Sequence, residues 1–142
     1  MEIKGYINYG YRPPAPFIAA MIFLKELNME AKLPLLIDTG ASSTMMLWRD
    51  VERLKINTTL LRKEDKEFTG LGGLTKAKPT PTTISFTSET GELLEEETEA
   101  FVVSIPCPNP KLELLPSILG RDVLNKYNLN YSPRTDKVYI EK

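Results

Sequence analysis

Histidine is absent from all 142 residues of this chain. That excludes nucleophilic centres built on a histidine base and zinc sites that use imidazole. An enzyme made from this chain must draw its acid–base chemistry from carboxylates, lysine, tyrosine or a thiol. Cysteine is nearly absent as well. Cys107 stands alone and cannot close an internal disulfide, which fits a reducing compartment. No charge of one sign dominates: 18 basic residues against 19 acidic ones leave a net charge of −1, so nothing points to nucleic acid or anionic lipid. Long apolar runs are also missing. The longest, Phe17 to Leu24, falls well short of the roughly 20 residues that cross a membrane as a helix. The opening "MEIKGYINYGY" lacks the basic start and apolar middle of a leader. Together these absences predict a cytoplasmic protein with no nucleic-acid and no membrane partner.

What is present suits one folded domain spanning residues 1–142. Apolar residues make up 42% of the chain, enough for a real core. The pattern is mostly β. "FIAAMIFL" and Leu33 to Asp38 are short continuous apolar runs of the kind that form strands covered on both faces, with a turn at Asn28 to Glu30 between them. Thr44 to Leu47 resumes a strand, and Arg49 to Ile56 is expected to be a short helix with Asp50 as its N-cap. "FTGLGGLTKAKPTPTTISF" is a hairpin with its tip at the glycines. Ile84–Phe86 and Ala100–Val103 are expected to pair, with Glu92 to Glu99 as the wet rim of their connection. Four prolines make "SIPCPNPKLELLP" an extended link. "SILGRDVLNKYNL" begins as a strand and turns helical near Asp122, and "NYSPRTDKVYI" closes as a hairpin around Ser132 to Asp136. Short strands with one or two brief helices define an all-β class, a small closed barrel.

The chemistry concentrates in "LLIDTGAS". A carboxylate at the end of a buried strand loses solvation, so its charged form needs compensation. Gly40 permits a tight turn beside Asp38 with its amide pointing inward. The Thr39 hydroxyl can lock neighbouring backbone. Two such loops facing each other would bring two aspartates together, unable to ionise at once and sharing one proton. That pair could hold a water, deprotonate it with one carboxylate and protonate the scissile group with the other.

The chain resembles the retropepsin-like aspartic proteases in three segments that occur in the family's order. "LLIDTGAS" matches the active-site strand and loop, "FTGLGGLTKAK" the glycine-tipped flap, and "SILGRDVLNKY" the apolar-apolar-Gly segment that passes beneath the active-site loop. The likeness runs from about Phe17 to Ile140. It implies a barrel that functions as a two-fold dimer. Asp38, Thr39 and Gly40 would be catalytic. Ala41, Ser42, Gly70, Leu71, Gly72 and Gly73 would contact a polypeptide substrate in extended conformation. Arg121 would have a structural role, tying the helix to the active-site loop. No cofactor and no metal are implied. Where retroviral enzymes often carry an aspartate that pairs with the arginine of the G-R-D segment, this chain has Ser42 and Ser43, so the partner of Arg121 is unassigned. Only one D-T-G occurs, and "ETG" at Glu89 to Gly91 has the wrong acid, so a dyad requires a homodimer.

Each feature also has a plainer reading. Asp-Thr-Gly is ordinary turn chemistry, and "GLGGLTK" misplaces the lysine of a phosphate loop. Glu95, Glu96, Glu97 and Glu99 could bind a hard cation, but strand alternation splits neighbours between two faces, and a solvated edge is the expectation. Trp48 suits packing, and Cys107 is a passive loop residue. The expected activity is aspartic endopeptidase; the rival is a non-hydrolytic module of the same fold that dimerises or binds peptides.

Overall fold

The computed structural model describes residues 1–70, 73–105 and 114–142. Its strands are β1 (Glu2–Lys4), β2 (Tyr6–Asn8), β3 (Ala15–Leu24), β4 (Met29–Ile37), β5 (Met45–Met46), β6 (Lys66–Gly70), β7 (Gly73–Pro79), β8 (Thr82–Thr87), β9 (Leu93–Thr98), β10 (Val102–Ser104), β11 (Ile118–Leu119), β12 (Asn128–Ser132) and β13 (Lys137–Glu141). Two short helices, α1 (Trp48–Arg53) and α2 (Arg121–Leu124), interrupt them. The all-β class with two brief helices is as the sequence predicts.

Two sheets organise the strands. A small antiparallel sheet has the order β1-β13-β12, and a large one runs β6-β7-β10-β5-β11-β4-β3-β8-β9, with β2 also paired to β3. The consequential feature is in the middle of the large sheet. β4 and β5, consecutive in the chain and joined by residues 38–44, are not neighbours. β11 enters between them, parallel to β4 and antiparallel to β5. Backbone bonds continue this ladder beyond the strands, from Leu36 N–H to the Ser117 carbonyl at 2.9 Å and from Asp38 N–H to the Leu119 carbonyl at 3.0 Å. The loop that carries Asp38 is therefore bridged from below by a segment some 80 residues later in the chain.

The alternation of side chains across a sheet sorts the central strands into two faces. Ile18, Leu35, Ile37, Met46, Val103 and Leu119 enter the main core. Met45, Ala77, Val102 and Ile118 form a second apolar cluster, joined by the partly buried Leu36 and Phe68. Each fully buried aliphatic side chain of this kind contributes about 1.5–3 kcal/mol.

Several expectations need correction. β3 is not covered evenly: Ile18, Ala20, Ile22 and Leu24 are buried while Ala19, Met21 and Phe23 are half-buried, because only one face of its C-terminal half meets the core. The turn before β4 ends at Asn28 in the left-handed conformation, φ 46°, and Met29 and Glu30 are already strand. β8 pairs with β9, and not with β10, which lies between β7 and β5. The glutamates are thus a strand and not a rim, and Glu96 is its buried residue. Asp50 does not cap α1. Leu47 holds that position without a side-chain bond, and Asp50 lies inside the first turn for a different purpose, described below. The path of residues 106–113, including Cys107, lies outside the described residues.

Candidate active site

Asp38 follows β4 directly. Its amide still bonds to β11, so the alternation of the strand carries through it and places its side chain on the face of Leu36, opposite the main core. The carboxylate is half-buried. The chain then turns sharply: Ala41 N–H reaches back to the Asp38 carbonyl at 3.2 Å, and Gly40 N–H donates to Asp38 Oδ1 at 2.9 Å. A Cβ on Gly40 would sit 3.2 Å from that same oxygen, so the glycine allows the amide to approach the carboxylate closely. Thr39 and Ser42 are exposed on the loop and Ala41 is buried beneath it.

Arg121 holds this loop from the second side. Its amide donates to the Ala41 carbonyl at 2.8 Å, and its Nη1 donates to the Thr39 carbonyl, also at 2.8 Å. Among the described residues no carboxylate pairs with its guanidinium, so the backbone of Thr39 is the acceptor that the sequence leaves unassigned. Gly70 and Gly73 are paired across the 66–79 hairpin, opposite each other at the ends of β6 and β7. Leu71 and Gly72, between them, lie outside the described residues.

Four residues essential to this geometry have no prominent signal in the sequence. Thr44 donates its amide and its hydroxyl to Asp122 Oδ1, at 3.0 and 2.7 Å. Val123 N–H bonds to the same oxygen at 2.9 Å, while Asp122 Oδ2 is buried without a hydrogen-bond partner among the described residues. Thr44 Oγ1 also accepts from Gly120 N–H at 3.0 Å. Beneath this lies Asp50, only 2% exposed, which accepts from Ser117 Oγ at 2.6 Å; Ser117 Oγ in turn accepts from Leu47 N–H at 3.0 Å. The D of "GRD", the T that follows "DTGASS" and the misleading cap position of Asp50 are the marks these residues leave in the sequence.

An apolar row crosses the sheet at the level of Leu36. Opposite it stands Ile118, then Met45, then Val102, then Pro79. At the far end of this row Ser43, Lys66, Phe68, Pro79 and Val102 surround a depression of about 300 Å³. A larger cavity of about 560 Å³ lies on the small sheet among β1, β12 and β13 and includes none of the expected site residues. Among the described residues no group of three or more His, Cys, Asp or Glu could hold a metal ion, and no helix is long and apolar enough to cross a membrane.

The β4–loop–β5 unit threaded by β11, with an aspartate at its crossing, is the architecture of retropepsin-like aspartic proteases, and the chain has that fold. It superposes on a retropepsin-like aspartic protease from Rickettsia conorii with a TM-score of 0.55 and 20% identity, over 99% of this chain and 88% of that one. It also matches the EIAV protease, solved with an inhibitor, with a TM-score of 0.41 and 21% identity over 79% of this chain and 86% of that one. The fold assignment rests on the first of these. No protein-family model matches the sequence, and no curated protein sequence does.

Proposed function

We propose that this chain is a single-domain aspartic endopeptidase that works as a homodimer in the cytoplasm. The observation that supports this reading best is the setting of Asp38: one carboxylate per chain, half-buried at a strand end, with Gly40 N–H on Oδ1 at 2.9 Å. That hydrogen bond fixes the orientation of the carboxyl group, and a second Asp38 approaching across a two-fold axis would supply the other half of the site.

In that dimer two carboxylates at close range cannot both ionise, and they share a proton. The ionised one removes a proton from a water held between them as the water oxygen attacks the peptide carbonyl carbon. The protonated one delivers its proton to the carbonyl oxygen, giving a neutral gem-diol with no covalent adduct to the enzyme. Collapse of the diol breaks the C–N bond and transfers a proton to the leaving amine. Thr39 braces the paired loops, Gly40 allows their approach, and Ala41 and Ser42 lie beside the substrate backbone. The hairpin of β6 and β7, with Gly70 and Gly73 at its far end, would act as a flap that closes over an extended polypeptide and excludes water. Arg121 positions the loop through the Thr39 carbonyl.

The test is cleavage of an unfolded polypeptide by the purified protein and by Asp38→Asn, with sedimentation of both. The expected result is cleavage by a dimer, abolished in a variant that still dimerises. Undiminished cleavage by the variant, or cleavage by a strict monomer, would remove the mechanism. Binding of peptide by the native chain without turnover would favour the non-hydrolytic module.

A further inference from the structure

The apolar row that passes beneath Asp38 does not stop at β4. Opposite Leu36 on its other side stands Phe17, and opposite Phe17 stands Tyr6. Residues paired directly across strands point to the same face, so Phe17 and Tyr6 belong to the face that carries Leu36 and Asp38. Phe17 is 2% exposed yet belongs to neither apolar cluster. Two tyrosines contribute to its cover. The Tyr6 ring stacks on it at 5.8 Å between centroids and 18° between planes, and the Tyr11 ring lies at 5.3 Å and 35°. Tyr6 remains 44% exposed.

We propose that Tyr6 and Tyr11, mounted on Phe17, form an aromatic platform at one end of the Asp38 cleft and select substrates with a large aromatic or apolar side chain away from the scissile bond. The inference rests on the peptidase reading for the identity of the occupant. Its geometry is independent of that reading. Adjacent strands are about 4.8 Å apart, which places Tyr6 roughly 10 Å across the sheet from Leu36. Same-face side chains of an extended peptide recur about every 7 Å, so a chain lying across the row with its reacting bond at Asp38 brings a side chain over the platform within one or two such steps. The opposite end of the row is the shallow depression at Phe68 and Val102, which Lys63, Lys66 and Glu99 also line, so the two ends offer different surfaces: a hollow edged by charge and an aromatic ring face. Burial first, and neighbouring Tyr11 second, push the Tyr6 hydroxyl above its ordinary pKa. Offset or edge-on contact between rings is worth about threefold to tenfold in binding.

The experiment uses the full chain carrying Asp38→Asn, so that binding is read without cleavage. The probes are dye-labelled ten-residue peptides in which phenylalanine replaces alanine at each position in turn, followed by fluorescence anisotropy. The expected result is a gain of about threefold to tenfold for phenylalanine at one or two off-centre positions. Adding Tyr6→Leu or Tyr11→Leu, which keeps an apolar cover on Phe17, should bring the phenylalanine-to-alanine ratio towards one. Tyr6→Phe should retain the ratio, as should Tyr9→Phe, since Tyr9 is engaged with Asp136. A ratio that survives in both leucine variants, no position preferring phenylalanine, or no peptide binding at all would each overturn the platform. Cleavage by the native chain, measured in parallel, separates the two ideas: turnover without an aromatic preference sinks the platform alone, and an aromatic preference without turnover keeps the platform and removes the peptidase.

Discussion

Thr44 gives both its amide hydrogen and its hydroxyl hydrogen to a single oxygen of Asp122, at 3.0 and 2.7 Å. This joins the end of the Asp38 loop to the start of α2, across 78 residues of sequence. Val123 N–H shares the oxygen but also reaches the Gly120 carbonyl at 3.2 Å, so Asp122→Ala would strand the two Thr44 donors. The expected loss is about 2–4 kcal/mol of folding stability, since each buried donor left unpaired costs about 1–3 kcal/mol and partial relaxation offsets some of the total. Asp122→Asn keeps an acceptor oxygen and should lose about 1 kcal/mol or less. Urea midpoints measure both, and equal losses would show that the hydrogen bonds are not what matters there.

Gly120 lies directly under Ser43. A Cβ at this position would stand 2.6 Å from both the carbonyl carbon and the carbonyl oxygen of Ser43. Backbone cannot swing aside as a flexible side chain can, so Gly120→Ala should push β11 away from the loop, at about 1–3 kcal/mol or more. Thermal denaturation reads the cost. A variant as stable as the native chain would mean that the two segments are less closely seated than described.

The buried Asp50 is held by the hydroxyl of Ser117 at 2.6 Å, with Arg53 Nη2 at 3.3 Å from its other oxygen. Ser117→Ala removes the donor to Oδ2 and the acceptor for Leu47 N–H together. The expected loss is about 2–3 kcal/mol. Ser117→Thr, which keeps the hydroxyl, should recover part of it, and denaturation midpoints for the pair would expose a purely steric effect if the order were reversed.

Glu96 predicts a pH dependence. Burial alone would raise its pKa, but hydrogen bonds from Lys142, Tyr127 and Lys126 together outweigh this and hold it below the ordinary 4.5. A carboxyl whose pKa is lowered on folding contributes stability above its unfolded value, and this is lost as pH falls through the folded value. The native chain should therefore weaken as pH falls below about 4.5, and Glu96→Gln should show a shallower decline over that window. Parallel curves for the two proteins would assign the acid sensitivity elsewhere.

The central strand, the D-T-G turn, the pairing of the 66–79 hairpin and the G-R-D helix start are legible in the sequence because each rests on local chemistry. Apolar runs end at Asp38 and at Gly120, and glycine sits where the turn is tight. The glutamate strand was not legible. "LLEEET" reads as solvated because Glu96 is accommodated in its buried position by Lys126, Tyr127 and Lys142, all distant in the chain. Asp50 misled for a similar reason. Its place near the start of a helix suggested a cap, while its partner Ser117 comes from the segment that threads beneath the loop.

By itself the amino-acid order marked the main apolar runs, the tight turns and the lack of histidine, since these are properties of composition and of neighbours along the chain. Only the tertiary structure decided that β11 would part β4 from β5, that Thr44 would find Asp122, and that Tyr6 and Phe17 would continue the row beneath Asp38. Those outcomes depend on register between strands far apart in sequence, where a shift of one residue would turn every side chain to the opposite face.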